Sequence, residues 1–298
     1  MDVRVLRYFV TIAQEQNISQ AARILHVSQP ALSRQIADLE TRLGTTLFIR
    51  GKRQIQLTQD GYYLLERAQE IINLVDKTTY NLQKQDSISG TIDIGAGESI
   101  ALQGLMTTVS NLMHKYPEIH INFTSGDSIN IQSELDSGIL EFGIIMGHHK
   151  LNNYNTLQLP DKNRWGVIMR EDEQLALKQV IHPRDLIGRP LLVSRQIKQH
   201  QDFKDWSQGL FDQFNFIGAY NLIFNASLLA KTGSCLVLTY DGLVDTSIDS
   251  RLTFRPLSPE LNDPNTLIWS KKRSLPKVDQ LFLDNLKEDI MNTEKDSN

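Results

Sequence analysis

The sequence predicts an α+β multidomain protein, with an all-α front, a long connecting helix and an α/β rear. Three observations carry this expectation. Residues 17–43 hold two short helical periods separated by a capping serine. Residues 58–85 keep a helical pattern with no proline and no late glycine. From residue 91 onward, short apolar or alternating runs recur between helical stretches, which marks a parallel or mixed sheet flanked by helices. A chain of 298 residues is also long for one ordinary domain.

Residues 3–16 form the first expected helix, with Val5 or Leu6, Phe9, Ile12 and Ala13 as its inner stripe. Ser19 is the expected N-cap of the next helix, whose apolar side is Ala21, Ala22 and Leu25 and which ends at His26-Val27. Ser28 caps a third helix, and Pro30 falls in its first turn, where a missing N–H costs little. Leu32, Ile36, Leu39 and Leu43 repeat at helical spacing, and Gly44 is placed for a left-handed cap. The opposite face carries Pro30, Ser33, Arg34 and Ala37, with Gln29 at its flank. Such a helix suits a DNA major groove, because Arg and Gln can both form paired bonds to base edges and Ser can bond a base or a phosphate. Taken alone, the same pattern also describes a core helix with a solvated face.

Residues 46–57 read as a hairpin, with Leu47 and Ile49, then Ile55 and Leu57, on either side of the tip Gly51-Lys52-Arg53. A basic tip of this kind can lie along a phosphate backbone or reach into a minor groove; the alternative is a solvent-facing charged turn. The long helix that follows is capped by Thr58, with Asp60 at its positive end and Leu57 with Tyr62 as a hydrophobic staple. Leu65, Ala68, Ile72, Val75, Thr79 and Leu82 form one seam, and Leu64, Ile71 and Leu74 a second. One stripe can pack on the first helix and the other on a partner chain; the alternative is a long helix buried against its own domain. Residues 86–90, small and polar, are the expected hinge.

Strands are expected at 91–96, 119–125, 141–147, 164–170, 190–194, 216–220, 235–239, 251–257 and 265–270. Helices are expected at 100–115, 131–138, 199–214, 225–233 and from Pro276 to about Ile290. Open α/β sheets bind ligands beyond the carboxyl ends of strands and at helix N-termini. Gly97-Glu98-Ser99-Ile100 and Gly126-Asp127-Ser128-Ile129 meet that test. Ser99 and Ser128 are equally explained as a helix cap and a turn residue. Arg195 is either a counter-ion for an anionic ligand or a surface cation. His148-His149 lacks a third ligand nearby in sequence and is rejected as a metal site.

The bulk numbers agree with this division. Hydrophobic content of 40% and charged content of 22% are ordinary for a globular chain. Residues 1–60 hold eight Lys or Arg and five Asp or Glu, a net of +3, so the remainder carries −7 of the overall −4. A basic front on an acidic body fits a nucleic-acid reader joined to something else. The single cysteine, Cys235, excludes an internal disulfide and favours a reducing compartment. No run of about 18 apolar residues and no signal-peptide core is present, so a cytoplasmic protein is expected.

Residues 1–65 closely resemble the winged helix-turn-helix of LysR-type transcriptional regulators. The resemblance rests on Ser19, Ala21, Ala22, Leu25, Ser28, Gln29, Ser33, Ile36, Leu39, Glu40, Leu43, Gly44, Leu47, Phe48 and Arg50 in register, continued by Thr58 and Gly61. It implies a winged helix-turn-helix over 1–58, with the helix-turn-helix itself at about 18–37. It further implies a linker and dimerisation helix with hinge over 59–89, and an effector-binding domain over 90–298. That last domain resembles periplasmic solute-binding proteins: one α/β subdomain at about 90–161 and 268–298, a second at about 162–267, and chain crossings near 160–163 and 265–269. DNA contact is then expected at Ser28, Gln29, Pro30, Ser33, Arg34, Arg50, Lys52 and Arg53. Effector contact is expected at Gly97, Ser99, Ile100, Ser128, Met146, Ser194, Arg195 and Asn225. The implied partners are double-stranded DNA, a small-molecule effector of anionic character, a second or fourth copy of the chain through the linker helix and effector domain, and the transcription machinery.

Neither a cofactor, a metal, a catalytic residue nor a membrane is implied. Two departures from the family's pattern make transfer of an effector unsafe: Ala230-Lys231-Thr232-Gly233 keeps one glycine, and Glu141 stands where aspartate is commoner. The competing expectations are an enzyme or a solute-binding protein with an accessory DNA-binding domain. The first lacks a nucleophile elbow, phosphate loop or metal pattern, and the second lacks a signal peptide.

Overall fold

A computed structural model describes residues 1–50, 55–83, 88–197 and 200–296. It divides into two units, Met1–Asp86 and Ser87–Asn298.

The front unit contains helices α1 (Val3–Glu15), α2 (Ile18–Ile24) and α3 (Gln29–Leu43), strands β1 (Phe48–Arg50) and β2 (Ile55–Leu57), and helix α4 (Gln59–Gln83). Asp2 caps α1, accepting from the Arg4 N–H at 2.8 Å. The cap of α2 is Asn17, which accepts from the Gln20 N–H at 3.0 Å, rather than Ser19, which lies inside the helix. Asn17 sits one residue before the first helical residue, where a side-chain oxygen reaches the orphan amides. Ser28 caps α3 as expected, and Gly44 closes it at φ 68° with its N–H on Glu40 and Thr41 carbonyls. Glu40 also fixes the hairpin, accepting from the backbone N–H groups of Leu47 (2.7 Å) and Phe48 (3.2 Å).

Leu32, Ile36 and Leu39 are buried, while Leu43, in the last turn of α3, is exposed. β1 and β2 pair antiparallel. In the hairpin the inward residues are Leu47 and Phe48, and Ile49 is exposed instead of packing with Leu47. Phe48 turns inward because Phe9 of α1 receives its ring at 5.1 Å. Thr58 caps α4, accepting from the Gly61 N–H at 2.9 Å and donating to the Thr46 carbonyl at 2.7 Å. A Cβ at Gly61 would stand 2.3 Å from the Leu47 carbonyl oxygen, so only glycine allows this approach. Tyr62 is exposed and forms no staple. Leu64 and Ala68 are buried in the front core, with Leu65, Ile71 and Ile72 packed against them, so both seams contribute to the same core; Leu74 is exposed. The hairpin tip at 51–53 and the first two residues of the expected hinge, 86 and 87, lie outside the described residues.

The rear unit is built on strands β3 (Gly90–Ala96), β4 (Ile119–Ser125), β5 (Phe142–Met146), β6 (Tyr154–Arg170), β7 (Pro190–Ser194), β8 (Asn215–Tyr220), β9 (Leu236–Tyr240), β10 (Leu252–Pro256) and β11 (Asn262–Ser270). Their order is β4-β3-β5-β11-β6-β9-β7-β8, with β10 paired to β6. Helices α5 (Gln103–Lys115), α6 (Ser128–Ser137), α7 (Gln201–Trp206), α8 (Ile223–Lys231) and α9 (Lys277–Asp296) complete it. β6 is a 17-residue strand that passes without a break through the expected crossing, and β11 begins at Asn262 rather than 265. The two run antiparallel, and their register shifts between Pro264 and Thr266, as expected where a proline lacks a ladder donor.

The two largest apolar clusters of the rear unit lie along this pair of strands. One gathers Ile92, Ile94, Leu105, Phe142 and Phe282. The other gathers Val167, Leu186, Leu191, Phe203 and Leu238. The expected helix over 199–214 is instead the short α7 and a separate turn at Phe211–Gln213. Gln208 (φ 53°) and Gly209 (φ 80°) reverse the chain between them. The last helix continues past the expected end at Ile290 to Asp296.

Candidate functional site

Two surfaces collect the polar residues. On α3, Gln29, Pro30, Arg34 and Ala37 are exposed and Ser33 is half-buried. Gln29 Nε2 donates to Ser33 Oγ one turn on, at 3.3 Å. The Ser28 hydroxyl accepts from the Ala31 N–H at 3.4 Å and is exposed at the same end. The buried leucine stripe thus holds a short face with one cation and an amide near the N-terminal half of the helix, where a groove-reading helix presents its contacts. Arg50 ends β1, but its side chain lies outside what the structure describes, as do Lys52 and Arg53 altogether.

In the rear unit a cavity of about 180 Å³ opens at the carboxyl ends of the parallel strands. Its walls are Gly97 after β3, Ser125 at the end of β4 with Gly126 and Asp127 after it, Met146 in β5, Ser194 at the end of β7 with Arg195 after it, and Tyr220 at the end of β8 with Asn221 after it. Trp165, His200, Ile223 and Tyr240 also line it. Of the residues expected from sequence, the structure brings together Gly97, Met146, Ser194 and Arg195. It places Ser99, Ile100, Ser128 and Asn225 off the cavity wall.

Each of the four has a structural reason. Ser99 accepts from the Ala101 N–H at 2.9 Å and donates to Asn163 Oδ1, so it caps the turn that precedes α5. Ile100 is exposed and lies over Gly242, where a Cβ would stand 2.4 Å from its Cδ1. Ser128 is the first residue of α6, and it is Asp127 that caps that helix, accepting from the Asn130 N–H at 2.9 Å. Asn225 is on the exposed side of α8.

The residues that sequence reasoning missed are Glu98, Trp165, His200, Tyr240 and Asp263. Glu98 Oε2 accepts from the Ile223 N–H at 3.1 Å, which supplies an anionic cap for α8, whose own N-cap residue Leu222 offers none. Asp263 is fully buried in β11. Its Oδ2 accepts from Trp165 Nε1 at 2.9 Å, His200 Nε2 at 2.7 Å and Tyr240 OH at 2.6 Å. One carboxylate therefore fixes three side chains of the cavity wall. No local pattern in the sequence marks it.

Burial, with the charge and hydrogen bond of Asp263, pushes the Tyr240 hydroxyl well above its ordinary pKa. Burial likewise lifts Tyr220 to about 12. Its hydroxyl donates to the Leu238 carbonyl at 2.8 Å. Both phenols stay protonated at neutral pH. Burial lowers the pKa of His200, but the bond and charge of Asp263 and the charge of Asp202 outweigh it and leave the pKa raised. A second proton would have to enter at Nδ1, which accepts from the Phe203 N–H at 3.2 Å and caps α7.

Ligand atoms of His200, Asp202 and Asp263 lie within 4.8 Å of one another, and His148 Nδ1 is 2.7 Å from Asp202 Oδ2. The donor set does not fit an ion as arranged. Both ring nitrogens of His200 are engaged, Nδ1 by the Phe203 N–H and Nε2 by Asp263, so neither presents a lone pair.

Residues 3–62 match the model of the bacterial regulatory helix-turn-helix protein, lysR family. Residues 85–290 match the LysR substrate binding domain. The transcriptional regulator BsdA of Bacillus subtilis is 35% identical over 164 residues, which is 54% of this chain and 56% of BsdA. A probable RuBisCO transcriptional regulator of Emiliania huxleyi is 31% identical over 61% of this chain and 59% of its own length. The chain thus spans less than two thirds of the length of these two relatives. The match to the uncharacterised regulator YvbU of B. subtilis is 22% identical but covers 97% of this chain and 98% of YvbU. Among solved structures, CbnR, a LysR family transcriptional regulator, superposes with a TM-score of 0.73 at 19% identity, over 97% of this chain and 99% of CbnR. HinK of Pseudomonas aeruginosa gives 0.56 at 23%, over 96% and 98%. These likenesses establish the shared fold. The second family model alone covers more than half of the sequence, and the chain belongs to the LysR family of bacterial helix-turn-helix regulatory proteins.

Proposed function

We propose that the chain is a sequence-specific DNA-binding transcriptional regulator whose activity is switched by a small molecule held in the rear cavity. The observation that carries this is the exposed face of α3, with Gln29, Ser33 and Arg34, set on a buried leucine stripe and braced by Glu40 and Ser28. Arg34 and Gln29 read base edges; Ser28, Ser33, Pro30, Arg50, Lys52 and Arg53 set the helix and hairpin against the backbone. The effector contacts are Gly97, Met146, Ser194 and Arg195, joined by Glu98, Trp165, Tyr220 and Tyr240. A ligand bound there shifts the balance between two arrangements of an oligomer on DNA.

The functional division is a DNA-binding domain at 1–58, a linker at 59–89 and an effector domain at 90–298. Its subdomains lie at about 90–161 with 268–298 and at about 162–267; the separate clusters around Phe142 with Phe282 and around Phe203 with Leu238 support this division. Self-association runs through α4, where Tyr63 and Leu74 are exposed on a face shared with Arg67 and Glu70. We read the site as that of a regulator rather than an enzyme: Trp165, His200 and Tyr240 are tied to one buried carboxylate, and both ring nitrogens of His200 are already hydrogen-bonded. No helix among the described residues is long and apolar enough to cross a membrane. The place of action is the cytoplasm.

A binding titration tests the reading. The purified chain is added to the duplex upstream of its own gene and to a shuffled duplex of equal length, at two salt concentrations. Tighter binding to the native duplex that persists at higher salt is expected. No binding to either duplex removes the front unit as a DNA reader.

A further inference from the structure

We propose that residues 97–100 form a strap that fastens the two rear subdomains together beside the cavity and controls entry to it. This deepens the reading of the cavity as the effector site and rests on it. The ground is where the contacts of this segment run.

The segment leaves β3, in the first subdomain, and meets the second at two points. Glu98 Oε2 accepts from the Ile223 N–H at 3.1 Å. That is the first amide of α8, whose flanking residue Leu222 offers no cap of its own. A carboxylate is well placed there, because the bond is charge-assisted and the helix end carries partial positive charge. Two residues on, the Ile100 side chain rests on Gly242, in the turn after β9. Gly242 has φ 75°, and a Cβ there would stand 2.4 Å from Ile100 Cδ1 and 3.1 Å from its Cγ1, so only glycine leaves room for the isoleucine. Leu222, Ile223 and Leu243, beside these two contacts, line the cavity, as do Gly97 and Glu98 themselves. The strap thus completes a wall made from both subdomains.

A second crossing runs from the loop after β5. His148 Nδ1 meets Asp202 Oδ2 of α7 at 2.7 Å, and a Cβ at Gly147 would stand 3.2 Å from His200 Nε2. Behind these crossings the backbone passes between the subdomains in β6 and β11, whose register shifts between Pro264 and Thr266. A pair of strands bends most readily where its ladder is interrupted. Rotation about that point opens or closes the cavity, and the strap decides the balance. Glu98 and Ile100 are both exposed, which suits a fastening that must release. A helix cap of this kind shifts an open–closed equilibrium by about tenfold and does not lock it.

The test is hydroxyl-radical footprinting of the full chain, read by peptide mass spectrometry. Trp165 and Met146 line the cavity and report access to it. Met169, fully buried in the same strand as Trp165, reports general loosening. Three variants accompany the wild type, and circular dichroism checks each fold. Glu98→Lys keeps a long side chain but cannot accept from the Ile223 N–H. Glu98→Gln keeps an acceptor. Ile100→Ala empties the seat over Gly242. The expected result is oxidation of Trp165 and Met146 raised at least about threefold in Glu98→Lys and in Ile100→Ala, with Met169 unchanged and Glu98→Gln close to the wild type.

Cavity residues oxidised no faster in Glu98→Lys and Ile100→Ala overturn the strap. An equal rise at Met169 also overturns it, because the whole subdomain would then be loosened. So does a Glu98→Gln chain that behaves as Glu98→Lys does, because the bond to Ile223 would not be what fastens the two sides. No ligand enters the measurement, so each of these outcomes leaves the effector role of the cavity standing. That role fails separately, if Ser194→Phe, which fills the cavity, still responds on DNA to a small-molecule extract that shifts the wild type.

Discussion

The α3 face and the rear cavity are both polar surfaces resting on apolar cores, yet their donors are deployed in opposite ways. On α3 the Arg34 side chain and the Gln29 amide stand at an exposed surface, and the bonds that support them are behind and below, in Glu40, Ser28 and the leucine stripe. In the cavity the donors of Trp165, His200 and Tyr240 are pulled inward onto Asp263. The first arrangement presents donors to a partner rich in acceptors, such as base edges and phosphates. The second spends three donors on holding the wall itself in place. The difference teaches that a surface's chemistry is set by what its polar groups already hold, as much as by which groups are present.

Removing the hub should give the largest effect. Asp263→Ala leaves three wall donors without their shared acceptor and should destabilise the rear unit by about 3 kcal/mol. Urea unfolding followed by tryptophan fluorescence measures it, since Trp165 is one of the three. DNA binding by the front unit should persist under conditions where the variant remains folded. An unchanged unfolding midpoint would mean that the donors find other partners, and the contrast between the two surfaces would fail.

A smaller effect sharpens the same contrast at Ser99, beside Glu98. Ser99→Ala should cost about 1 kcal/mol as a lost cap. Because Ser99 is bound to Asn163 and Ala101 off the cavity wall, the affinity for a cavity ligand should stay as it was. A calorimetric titration of that variant, showing weakened binding with little loss of stability, would return Ser99 to the site.

These positions also show what could be read in advance. The front unit was legible because its signals are local: Ser28, Pro30, the 4-3-4 spacing of Leu32 to Leu43, and Gly44 lie within one helix and its two ends. Even there, Phe48 went inward in place of Ile49 because a ring 39 positions earlier, Phe9, was waiting for it. Most rear strands were legible from apolar runs. The first half of β6 was not, since Pro160 reads as a break. In fact it falls within the stretch where β6 and β11 leave register, so no ladder bond is lost. The helix over 199–214 was overread because its periodicity continues past the left-handed residues Gln208 and Gly209.

The cavity was half legible. Strand ends could be named, and four of the residues expected there line it. Glu98 was passed over for its neighbour Ser99 because the helix it caps begins 125 positions later. Asp263 sits inside a strand, and the three residues it holds come from β6, the start of α7 and the end of β9. Such a hub is a property of topology, and no window of sequence contains it.

The most direct test of the central claim, that α3 presents Arg34 as a base-reading donor, is the affinity of Arg34→Ala for the native upstream duplex and for its shuffled control. The account predicts a loss of about 1–3 kcal/mol on the native duplex, with base preference relaxed at one position and little change on the control. An equal loss on both duplexes would contradict it, because Arg34 would then be touching phosphate alone.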